Sequence, residues 1–217
     1  MIIGPNPSIV MLGGVVTFIT SVIGCIEFVH IPKTGGTTIE ATGCSAGIPW
    51  GACHFPSKSH CTSCVSDLAD CGKGQLWHVP PSQHSRECGI HSYKRCKTFT
   101  VVRDPVERAI SFFGCKWWGP TVKKNMDAWI LKTYRSWIPQ YLYLPVDHVL
   151  RYDSLAEDFS TLMQSYNLSL RISKRLNPSS NSNKKLRLHT ICTVARFFYM
   201  DYKVFNFTWP TVCLPIL

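Results

Sequence analysis

Phe28-Val-His30-Ile-Pro-Lys33-Thr34-Gly35-Gly36-Thr37-Thr38-Ile-Glu40 reads as the end of a strand, a glycine-containing loop and the first turn of a helix. Such a junction is built to hold a phosphate-like anion. Glycines let backbone N–H groups approach, the helix start adds partial positive charge, and Lys33 adds a full one. The candidate cradle is Lys33, Thr34, Gly35, Gly36, Thr37 and Thr38. The order of residues departs from the nucleoside-triphosphate loop, in which Gly-Lys-Ser/Thr closes the turn; here Lys33 precedes the glycine pair. ATP hydrolysis is therefore disfavoured. Upstream, Gly24–His30 supplies the strand that feeds the loop.

A second junction lies about seventy residues on. Lys97-Thr-Phe-Thr-Val-Val102 is β-branched and aromatic, as buried strands are, and it runs into Arg103. Asp104, Pro105 and Glu107 then combine a capping acid, a first-turn proline and a glutamate three residues after the cap, which together start a helix. Val106, Ile110, Phe113 and Trp117 keep one face of that helix apolar. Arg103 at the strand end and Ser111 in the helix can both hold phosphate, and Arg108 shares a helical face with Ser111. Two anion grips at neighbouring strand ends fit a nucleotide phosphorylated at both its 5′ and 3′ positions.

The paired motifs resemble those of the Golgi carbohydrate sulfotransferases, especially the heparan sulfate 2-O- and 6-O-sulfotransferase type, with weaker similarity over Leu150–Phe159. The resemblance implies 3′-phosphoadenosine-5′-phosphosulfate as sulfuryl donor. Its 5′-phosphosulfate would lie on the Lys33 loop and its 3′-phosphate on Arg103 and Ser111. Lys33 would stabilise the leaving oxygen, and no metal is called for. In the 2-O type the base is a histidine some twenty residues before the second motif, which places His78 in that role; other sulfotransferases use a glutamate after the first loop, which is Glu40 here. His78 is favoured, since an imidazole titrates near neutrality. His30 is read as strand-to-loop packing, and His84 and His91 carry no assignment. One rival is a P-loop kinase or nucleotide hydrolase, for which Asp104 is the nearest candidate metal-binding acid. The other is a basic, zinc-stabilised nucleic-acid-binding protein, which leaves both motifs unexplained.

The rest of the chain frames these motifs. Its 217 residues suit one α/β domain, a parallel sheet flanked by helices with its ligand at the carboxyl ends of the strands. Further helices are expected over about 125–137, from Leu155 behind a capping box at Ser154 and Glu157, and over Ile191–Phe205; Val146–Arg151 reads as a strand. Residues 43–96 form a Cys-rich irregular insertion within a catalytic domain spanning 27–217. Eleven cysteines point to disulfides among Cys44, Cys53, Cys61, Cys64, Cys71, Cys88 and Cys96 in an oxidising lumen, ahead of a zinc site around Cys61 and Cys64 with His54 and His60. Residues 1–26 are apolar, and 9–26 lack charge altogether, which fits a membrane anchor, a secretory signal or a strand at Val15–Val22. The net charge of +10 attracts polyanions. Basic residues Arg171, Lys174, Arg175, Lys184, Lys185 and Arg187 make a carbohydrate acceptor of acidic type a natural partner, with nucleic acid not expected. Sequons at Asn167 and Asn206 agree with a Golgi or secretory-pathway location.

Overall fold

In the computed structural model of the chain, residues 10–12, 15–17, 25–48, 50, 78, 80–82, 96–116, 119–120, 125–173 and 185–213 are described. Three strands form a parallel sheet: β3 (Ile26–Val29), β4 (Lys97–Val102) and β5 (His148–Arg151), side by side in that order. Before them, β1 (Val10–Leu12) and β2 (Val15–Thr17) pair antiparallel as a separate two-stranded sheet. The apolar N-terminal stretch thus contains strands, and no helix among the described residues is long and apolar enough to cross a membrane.

Helix α1 (Gly36–Ser45) follows β3, α2 (Pro105–Phe113) follows β4, and α3 (Met126–Thr133) leads on towards β5. Helix α4 (Leu155–Ser165) follows β5, and α5 (Leu188–Phe197) and α6 (Tyr199–Phe205) complete the core. Parallel strands need such crossovers, and each crossover buries one face of the sheet. Ile26, Phe28, Phe99, Val101 and Leu150 pack against Ile39 of α1, Trp50, and Leu155, Phe159 and Met163 of α4. Val29 and Val102 point the other way, towards Tyr143, Ala195 of α5, and Tyr202 and Phe205 of α6. Phe99 and Phe159 are fully buried and in ring contact, so truncating either to alanine costs about 3–5 kcal/mol.

Several local expectations need correction. Helix α1 extends to Ser45, so residues 43–45 belong to it; Gly43 is required there because a Cβ would meet the Trp50 ring at 2.5 Å. Trp50 in turn donates its indole N–H to the Ile26 carbonyl at 2.9 Å. On α2, the deeply buried positions are Arg108, Ala109 and Phe112, while Val106, Ile110 and Phe113 are only partly covered. Ser154 does not cap α4. Its hydroxyl donates to Asp158, whose same oxygen also accepts the Arg151 N–H. The segment expected as a single final helix begins earlier, at Leu188, and breaks at Phe198 into two. The stretch at 125–137 is α3, capped by Asn125, running into a 3-10 turn at Tyr134–Ser136.

Cys96 bonds to Cys25 and not to a cysteine of the insertion, which ties the first residues of β3 and β4 together. Cys192 bonds to Cys213, and Cys44 is also disulfide-bonded. Trp117, the cysteines at 53, 61, 64, 71 and 88, the histidines at 54, 60, 84 and 91, and Lys174, Arg175 and Lys184 lie outside the described residues.

Candidate active site

The Lys33 loop leaves the carboxyl end of β3 and is fixed from within. Ile31 and Thr34 are fully buried, and the Thr34 hydroxyl donates to the Ile31 carbonyl at 2.8 Å. Lys33 adopts φ 69 and Gly35 φ 100. The left-handed backbone costs a lysine about 1 kcal/mol, a strain of the kind that gathers at ligand-binding turns. At Gly35 a Cβ would press on Leu155 at 3.1 Å and Tyr152 at 3.2 Å; at Gly36 it would sit 2.3 Å from His30 Nε2. Gly35 is the cap position of α1, offers no side-chain hydrogen bond, and is followed by no acid in the first turn. The cap residue thus takes up none of the N–H groups at this helix start through a side chain, and no first-turn acid offsets their partial charge. Lys33 and Thr37 are half-buried; Thr38 is buried.

The second motif lies beside it, at the end of β4. Asp104 caps α2 by accepting the N–H groups of Val106 and Glu107, both at 2.9 Å. Burial raises its pKa, while the two accepted N–H bonds oppose the rise. The Arg103 guanidinium stacks over the Tyr152 ring at 4.0 Å and donates through Nε to Glu107 at 3.3 Å. Tyr152 thus stands between Arg103 and Gly35, joining the two junctions through the loop after β5.

The backbone of Arg103 is clamped by a residue that no local sequence signal selects. Gln140 accepts the Arg103 N–H at 2.9 Å and donates to its carbonyl at 2.8 Å. Asp201 of α6 holds Gln140 in turn, accepting its backbone N–H at 3.0 Å and that of Tyr141 at 2.9 Å. Both side chains are fully buried. The one cue was an aspartate amid the aromatic residues of Tyr199–Phe205.

Arg108 also differs from expectation. It is 2% exposed, and donates through Nε to the Pro32 carbonyl at 2.9 Å and through Nη1 to the Ile138 carbonyl at 3.0 Å. A single side chain of the second motif therefore anchors the loop of the first. Its Nη2 is buried with no hydrogen-bond partner among the described residues. Burial lowers the Arg108 pKa; Asp201 and then Tyr143 offset the effect. Ser111 is half-buried on the same helix.

Of the two candidate bases, Glu40 is 1% exposed and accepts a hydrogen bond from His30 Nδ1 at 2.6 Å, with His30 itself 5% exposed. His30 is thus the polar partner of Glu40 as well as packing between strand and loop. His78 comes to the same place from within the insertion. Its ring meets that of His30 edge-on, centroids 4.7 Å apart. The Tyr143 hydroxyl donates to the His78 carbonyl at 2.5 Å, and burial pushes the Tyr143 pKa up to about 12, so this hydroxyl remains a donor across the neutral range. The Lys33 loop, Arg103, Arg108, Tyr152, Glu40 and His78 are thereby linked through shared contacts. Among the described residues, no three metal-ligating side chains converge.

A family model described as the sulfotransferase family matches residues 18–160, about two thirds of the chain and the whole of both junctions. No curated protein and no solved structure matches significantly.

Proposed function

The chain belongs to the sulfotransferase family, and from that premise we propose that it transfers the sulfuryl group of 3′-phosphoadenosine-5′-phosphosulfate to a hydroxyl of a carbohydrate. The observation that carries this reading is the joining of two strand-to-helix junctions at adjacent parallel strand ends, with Arg108 of one motif bonded to the Pro32 carbonyl of the other at 2.9 Å. The residues fit such a donor. Lys33, Thr34, Gly35, Gly36, Thr37 and Thr38, with the uncapped start of α1, suit its 5′ end; Arg103 and Ser111 suit its 3′-phosphate. The donor supplies an activated sulfuryl group. His78 takes the proton of the acceptor hydroxyl as that oxygen bonds to sulfur. The S–O bond to the nucleotide breaks, and Lys33 neutralises the charge left on the departing oxygen.

Two rivals fare less well. A kinase or nucleotide hydrolase would need a carboxylate directed at a metal, whereas Asp104 is committed to two backbone N–H groups of α2. A nucleic-acid-binding role leaves the paired grips without purpose. An acidic glycan is the acceptor class supported by the +10 charge and by exposed Arg171, Lys185 and Arg187. The disulfides are compatible with the secretory pathway. Asn167 and Asn206 are exposed in left-handed turns after helices, where a glycan can be attached. A Golgi location completes the proposal.

The test is transfer of labelled sulfate from the donor to desulfated uronic-acid polysaccharides. The wild type is expected to label them, and His78→Ala to fall by about 10²–10⁴-fold in kcat. Hydrolysis of ATP with magnesium, and no labelling, would overturn the reading.

A further inference from the structure

We propose that His30 is a positioning residue for the transfer reaction: held by Glu40, it sets the orientation of the His78 imidazole. This rests on His78 being the base. A carboxylate only accepts, so the 2.6 Å contact requires His30 to carry its hydrogen on Nδ1, which fixes the ring plane and tautomer. The remaining ring nitrogen packs against Gly36, where a Cβ would come within 2.3 Å. Glu40 on α1 and the Gly36 backbone bound the ring on two sides. His78 meets this fixed ring edge-on at 4.7 Å, while Tyr143 holds its carbonyl from the opposite side of the sheet end. Glu40, unlike a base that must touch the acceptor, is 1% exposed. Both residues that sequence offers as the base thus occupy one chain of contacts, Glu40 behind His30 and His78 in front.

The arrangement also joins the base to the donor loop. His30 and Glu40 flank that loop, and their bond closes it across ten residues of sequence. The same ring that supports the imidazole therefore bounds the segment carrying Lys33. Fixing a base and a leaving-group stabiliser to a common support is how a site keeps reacting groups in line, where small displacements cost large factors in rate.

The test is a double-mutant cycle on the full chain. In His30→Asn the amide N–H takes the place of Nδ1–H towards Glu40, but no ring remains for His78. Expected results are a fall of roughly 10–100-fold in kcat, binding of 3′,5′-adenosine bisphosphate within about 3-fold of wild type, and less than about 2-fold further loss when made in His78→Ala. A loss equal in both backgrounds, or one that appears in nucleotide affinity and not in kcat, would overturn the proposal. Full transfer rate in His78→Ala would overturn it together with the assignment of the base. If His30→Asn does not fold, Glu40→Gln carries the same cycle: it keeps an oxygen for Nδ1–H, and its expected loss of about 3–10-fold in kcat should likewise vanish without His78.

Discussion

The two strand-to-helix junctions share a topology and differ in the first turn of the helix. After β3, α1 starts on Gly35 with no side-chain cap and no acid nearby. After β4, α2 starts on Asp104, which takes two backbone N–H groups, with Pro105 and Glu107 behind it. The first helix start keeps its positive end available to an anion. The second is taken up by the chain's own carboxylate, and on the proposed function it would contribute side chains instead: Arg103 from the strand end and Ser111 from the helix. On that reading a backbone grip lies next to a side-chain grip, and the two junctions are bound together by Arg108 on the Pro32 carbonyl and by Tyr152 between Gly35 and Arg103.

If the junctions divide the work in this way, perturbing each should affect different observables. Lys33→Ala is expected to lower kcat by about 10²–10³-fold while leaving the melting temperature nearly unchanged, since the side chain is half-exposed and bears on charge developing in the reaction. Steady-state kinetics beside calorimetry checks this. Gly36→Ala should do both kinds of harm, displacing the His30 ring and destabilising the fold by about 1–3 kcal/mol in denaturant titration.

A pH effect is expected from β3. Burial raises the Glu27 pKa to about 7, so the folded chain holds a proton that an unfolded glutamate releases near pH 4. The folded state binds more protons in that window, and stability therefore falls as pH rises from about 4 to about 7. Glu27→Gln should remove that slope and exceed the wild type by about 1–2 kcal/mol at pH 8, after allowance for partial exposure of the group. Equal stability at pH 8 would count against it. The smallest effect belongs to the second junction: Asp104→Ala should cost about 1 kcal/mol by thermal unfolding, with kcat within roughly 5-fold of wild type.

The parts of this fold legible in sequence were those whose cause is local. The loop at Lys33, the strand at Lys97–Val102 and the start at Asp104-Pro105 each carry their signal within a few residues. The Ser154 start shows the limit of such signals. Its letters match a capping box, yet Asp158 one turn on competes for the hydroxyl and also takes the Arg151 N–H. What sequence did not disclose is held by contacts between distant segments. Gln140 reaches Arg103 across 37 positions and Asp201 across 61, and nothing near any of the three announces the others. Arg108 looked like a companion to Ser111 on a ligand-facing helix; only the fold shows that Pro32 and Ile138 claim it. Cys25 and Cys96 are similar, since cysteine spacing gives no pairing across 71 residues.

The joined grips are tested most directly by calorimetric binding of 3′,5′-adenosine bisphosphate, without magnesium, to the wild type, Lys33→Ala and Arg103→Ala. The wild type should bind. Each charge removed should weaken binding by about 10–100-fold, as loss of a charge-assisted hydrogen bond does, with the larger loss in Arg103→Ala, since the 3′-phosphate is retained in this ligand and the sulfuryl group is not. Wild-type protein that ignores the bisphosphate, or variants that bind it as well as the wild type, would contradict a donor site formed by these two junctions.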